Sequence, residues 1–97
     1  MLRISTIEDE QTVAIRLEGR VAGPWVNELL GAWKTLSPRL AARKVQLDLR
    51  GVTFVDDTGK VVLREIYAQS RAEILAKTAW CEYLATEIRS NPTSDRA

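Results

Sequence analysis

This chain has no histidine and a single cysteine, Cys81, so any chemistry must come from carboxylates, hydroxyls, amines and one thiol. Such groups gather in one stretch, Asp48-Leu49-Arg50-Gly51-Val52-Thr53-Phe54-Val55-Asp56-Asp57-Thr58-Gly59. An apolar run there meets two acids, a hydroxyl and a glycine where a helix is about to begin. Asp and Thr at a helix start accept hydrogen bonds from its free N–H groups, and acids there complement the helix dipole. Capping alone therefore accounts for these residue types.

Three chemical readings compete with capping. An aspartyl phosphatase of the haloacid-dehalogenase kind needs two acids one residue apart with Thr two further on, but Asp56 and Asp57 are adjacent. A phospho-acceptor receiver domain needs an acid pair on the first strand and an acceptor Asp on the third. Asp48, the acid on the later strand, falls inside that strand rather than at its end. A hard-cation site wants six or more oxygens, which two neighbouring carboxylates do not supply. A small acid-dependent phosphatase is kept as the enzymatic alternative.

The surrounding elements follow from periodicity. Leu2 and Ile4 alternate with Arg3 and Ser5, and Thr12 to Leu17 alternates again after the polar turn Glu8-Asp9-Glu10. Two period-two runs joined by a short turn predict a hairpin, which Gly19 ends. Pro24 suits a first helical position. Trp25, Val26, Leu29, Leu30, Trp33 and Leu36 fall on one helical arc, predicting a helix over 24–37. Val45, Leu47 and Leu49 alternate with Gln46, Asp48 and Arg50 until Gly51 breaks the run, and 52–55 is β-prone. A second helix is expected over 58–71, burying Val62, Leu63 and Ile66, and a short strand over 72–76. Thr78 can cap a third helix over 79–89, with Trp80, Cys81, Leu84, Ala85 and Ile88 on its apolar face. Trp25, Trp33 and Trp80 are read as core, Cys81 as a buried inert thiol, and Asp48 as bonded to nearby backbone. The order ββαβαβα predicts an α/β fold: a mixed four-stranded sheet with three helices, covered more on one face. Residues 1–89 read as a single domain and 90–97 as a flexible tail.

Composition narrows the function classes. Ninety-seven residues, 45% of them hydrophobic and 28% charged, suit one ordinary globular domain rather than a disordered chain. A net charge of +1 gives no basic excess, so no nucleic-acid partner is expected. The missing histidine removes the Ser-His-Asp and Cys-His engines and the commonest metal ligand. A lone cysteine excludes an internal disulfide, and with no secretory signal it points to the cytoplasm. No apolar run approaches the ~18 residues of a membrane helix. No cofactor, metal or catalysis is expected.

The pattern Asp-Leu-x-Gly-Val-x-Phe-x-Asp-x-Thr-Gly resembles the STAS domain of bacterial anti-sigma factor antagonists. Leu17-Glu18-Gly19 followed by a loop and a Trp-rich helix is similar to the L-x-G turn of that family. The resemblance spans about residues 12–88, with fewer elements than longer members have. It implies a non-catalytic regulator that binds a Ser/Thr kinase-type anti-sigma factor, or a related ATPase, while unphosphorylated. It also implies that the kinase ends the interaction by phosphorylating the hydroxyl before the glycine, here Thr58. The implied partner surface joins Arg20, Val21, Ala22 and Gly23 to Asp56, Asp57, Thr58, Gly59, Lys60, Val61 and Arg64. Val61 falls off the apolar arc of its helix, flanked by Lys60 and Arg64. The chain carries Asp57 where members usually have a second hydroxyl, and Lys60 where many have an apolar residue. On the same fold, the alternative role is an accessory subunit docking on a transporter ATPase.

Overall fold

A computed structural model describes residues 1–90. Four strands form one sheet in sequential order: β1 (Leu2–Glu8), β2 (Thr12–Val21), β3 (Lys44–Val55) and β4 (Glu73–Leu75). β1 pairs antiparallel with β2, while β2–β3 and β3–β4 are parallel. Helix α1 (Pro24–Leu36) and a 3-10 turn (Ser37–Arg39) link β2 to β3, α2 (Asp57–Ser70) links β3 to β4, and α3 (Ala79–Ser90) follows. The strand order advances steadily in one direction. Right-handed crossovers therefore place α1 and α2 on the same face of the sheet. This is the predicted ββαβαβα mixed sheet with one covered face.

Alternation decides which side chains enter the core. Val13, Ile15 and Leu17 of β2 point to the helices beside Val45, Leu47 and Leu49 of β3. Leu29 and Trp33 of α1, Leu63 and Ile66 of α2, and Leu84 and Ile88 of α3 close over them. Each such side chain contributes about 1.5–3 kcal/mol by leaving water. Cys81 is buried, its Sγ 3.5 Å from the Leu49 carbonyl, while Glu87 reaches Lys60 in the first turn of α2. Helix α3 therefore runs antiparallel to α2. The predicted Thr78 cap is present: its Oγ1 accepts from the Cys81 amide at 3.1 Å.

Several boundaries differ from the sequence reading. Gly19 does not end β2; the strand continues to Val21 through two register shifts, at Arg16/Glu18 and Gly19/Arg20. Gly51 likewise leaves β3 unbroken, because the extra residue is absorbed as an irregularity opposite Glu18. Trp33 is core and its Nε1 donates to Gln69 Oε1 at 2.9 Å, and Trp25 is half-buried. Trp80 is 41% exposed, which corrects its placement in the core. Cys81, Leu84, Ala85 and Ile88 already fill the inward stripe of α3, leaving Trp80 at its margin. The tail expected at 90–97 lies outside the described residues, except that Ser90 belongs to α3.

Candidate functional site

Asp56 connects the segments of this site. It is the N-cap of α2, in extended backbone, and its Oδ1 accepts from the Gly59 amide at 2.7 Å. Its Oδ2 accepts from the Gly23 amide at 3.0 Å. One carboxylate thus fastens the start of α2 to the start of α1, 33 residues earlier. The Asp56 amide completes the tie by donating to the Val21 carbonyl at 3.2 Å. The Gly23 and Gly59 amides hold the Asp56 carboxyl below the usual carboxylate range, against a small opposing desolvation.

Both glycines are required by geometry. Gly23 sits at φ 59°, ψ −137°, a region open to glycine, just before Pro24 takes the first helical position of α1. Gly59 is buried, and a Cβ there would run into the Val21 carbonyl and come within 3.0 Å of Val21 Cγ1 and Val55 Cγ1. Gly59→Ala should therefore lower stability. Overpacking costs about 1–3 kcal/mol and the gain in helix propensity returns only about 1 kcal/mol. A melting temperature at or above that of the wild type would show that β2 can yield at this point.

Asp57 and Thr58 occupy the next two helical positions, and both are exposed. The Thr58 hydroxyl makes no hydrogen bond among the described residues, so it is presented to solvent. Val61, one turn on, is 56% exposed, as its position off the apolar arc predicts. Lys60 and Arg64 do not simply flank it. Lys60 Nζ lies 3.0 Å from Glu87 Oε1, and Tyr83 OH lies 3.1 Å from Glu87 Oε2. The hydrogen bond to Glu87 raises the Lys60 pKa, and the same bond lowers that of Glu87. Arg64 is half-buried and adds its field to Glu87. These two cations therefore turn toward α3.

Of the loop assigned to the partner surface, Val21 and Ala22 are buried at 0% and 8% exposure. Both side chains pack inward, Val21 as the last residue of β2, so neither offers a side chain to a partner. Gly23 and Arg20 remain exposed. The Arg20 guanidinium lies 4.6 Å from the centroid of Phe54, itself 41% exposed, and its charge also favours the ionised form of Asp56. Sequence reasoning missed Phe54, Tyr83 and Glu87. Phe54 could be found only from the register shift that pairs it with Arg20. The Lys60–Glu87 pair joins two helices and has no local signal.

No group of three or more acidic or thiol ligands placed to hold a metal occurs among the described residues. No described helix is long and apolar enough to cross a membrane.

No protein-family model matches the chain, and no curated protein matches it. Among solved structures, one described as a crystal structure analysis of Mglu superposes with a TM-score of 0.57 at 20% identity. The match covers 76% of this chain and 19% of that one, so this chain spans about a fifth of its length. That likeness establishes the course of the chain.

Proposed function

We propose that this is a STAS-type protein-recognition domain, similar to the bacterial anti-sigma factor antagonists, that acts in the cytoplasm without catalysis of its own. Its partner is a Ser/Thr kinase-type anti-sigma factor or a related ATPase, and its switch is phosphorylation of Thr58. The observation that carries this reading is the presentation of Thr58. An unbonded hydroxyl stands on a helix start that Asp56 ties to the neighbouring loop. A kinase needs an accessible hydroxyl, and a partner needs a fixed surface around it.

The proposed recognition surface centres on the exposed residues Arg20, Gly23, Asp57, Thr58 and Val61, with the half-buried Lys60 at the α3 side. Val61 supplies apolar area at its centre, and an apolar residue this exposed loses little by substitution in the free protein. Val61→Glu should leave the melting temperature unchanged and weaken capture of the kinase-type partner by about tenfold or more, as loss of a central contact does. Unchanged affinity in titration would place the recognition surface elsewhere.

A further inference from the structure

A second feature lies on the sheet face turned away from the described helices, where Arg16, Asp48 and Arg50 alternate with the core residues of β2 and β3. A recess of about 600 Å³ there is lined by Arg16, Glu18, Asp48, Arg50, Gly51 and Lys77, among others. Its size is within the range of small-ligand pockets. None of these residues belongs to the α2 start. Asp48 is the one buried charged residue among those described. Its carboxylate is gripped by Arg50: Nε to Oδ1 at 3.0 Å, Nη2 to Oδ2 at 3.0 Å, and the Arg50 amide to Oδ1 at 3.0 Å. One guanidinium therefore already matches the Asp48 charge.

Two further cations face the same space. Arg16 Nε lies 4.0 Å from Asp48 Oδ2, a loose pairing that leaves its fork of donors unspent, and its side chain is 53% exposed. Lys77 is exposed and makes no ion pair among the described residues. Against them stands Glu18, also without an ion pair among the described residues. We propose that this recess binds a small polar molecule through an oxyanion group, a phosphate or a carboxylate. Arg16 and Lys77 supply the binding charge. The Asp48–Arg50 pair lies beneath them, and Arg50 offsets the negative charge that Asp48 would otherwise set against the incoming anion. A guanidinium fork suits two oxygens of such a group, and an ammonium adds a point charge. Glu18, which lines the same recess, opposes the anion.

The test is a titration of the full chain, followed by amide NMR shifts, with inorganic phosphate, glycerol phosphate and malonate as separate probes. Saturable shifts confined to the amides of Arg16, Asp48, Arg50, Gly51 and Lys77 are expected. A response to both phosphates alone assigns a phosphate site, and a response to malonate as well assigns a general oxyanion site. Arg16→Gln combined with Lys77→Gln should weaken binding by about tenfold or more, the loss expected when charge-assisted bonds are removed. Glu18→Gln should tighten the binding of inorganic phosphate, a result that unfolding or non-specific salt effects would not give. Amide spectra of the variants should otherwise match the wild type. Shifts that rise linearly with every probe would overturn the proposal. So would saturable shifts that are indifferent to the Arg16 and Lys77 substitutions.

Discussion

An Asp56→Ala variant is expected to melt well below the wild type and to lose order at two places far apart in the sequence. The alanine removes the cap of α2 and, at the same stroke, the acceptor for the Gly23 amide that opens α1. Hydrogen exchange of the Gly23 and Gly59 amides should accelerate together, because one carboxylate protects both. Asp56→Asn should fall between, since its single carbonyl oxygen can keep one of the two bonds without the charge. Acceleration at Gly59 alone would mean that the loop before α1 is held by something else.

The same geometry sets the acid response. The folded Asp56 carboxyl is shifted down, chiefly by the Gly23 amide and then the Gly59 amide. Asp48 is shifted down as well, chiefly by its hydrogen bond from Arg50. A carboxyl whose pKa is lowered on folding binds protons more readily when unfolded. Its contribution is therefore fully present above the usual value near 3.8 and is lost as pH falls through the lower folded value. Asp56→Asn should lose part of this acid sensitivity. Melting temperatures measured from pH 6 down to pH 2 should converge for the two proteins at the acid end. Curves that stay parallel would deny Asp56 a depressed pKa.

Phosphate incorporation by a cognate kinase is expected to vanish in Thr58→Ala and to rise in Asp57→Ser. Phosphorylation adds about −1.5 to −2 charges. The helix start favours such charge by roughly 0.3–1 kcal/mol. Two unit charges about 6 Å apart repel by roughly 0.7 kcal/mol in water, and a dianion doubles that. Repulsion by Asp57 alone thus offsets the dipole. Asp56 already holds the Gly59 amide, so the phosphate must compete with that carboxylate for the donors of the first turn. ATP can still drive the transfer, so on the proposed reading Thr58 is a poor or labile acceptor rather than a forbidden one. Equal incorporation in wild type and Asp57→Ser would remove the electrostatic argument. Incorporation that survives Thr58→Ala would remove the site.

Much of this was legible in the sequence because the signals are local. Period-two runs gave the strands, and the arcs of α1, α2 and α3 gave the core faces. Thr78 announced its cap, and Asp-Asp-Thr-Gly announced a helix start. Val61 could be placed on the exposed crest from its angle alone. What failed was non-local. Whether Gly19 and Gly51 end a strand depends on what the neighbouring strand does, and here two register shifts, each an extra residue on β3, carry the β2–β3 pairing past both. That prolongs β2, buries Val21 and turns Phe54 outward. Trp80 lies at the edge of the apolar arc of α3, and an edge is buried only if a neighbour covers it. The bond from the Gly23 amide to Asp56 and the Lys60–Glu87 pair join segments 33 and 27 residues apart, beyond the reach of any pattern within one element.

The proposed role is tested most directly by affinity capture from native lysate with the unmodified chain, with Thr58→Glu in parallel and bound proteins identified by mass spectrometry. The proposal predicts that a Ser/Thr kinase-type ATPase is retained by the wild type and lost by Thr58→Glu, whose added carboxylate imitates part of the phosphate charge. Retention of the same proteins by both, or the lack of any kinase-type protein on the wild type, would contradict it.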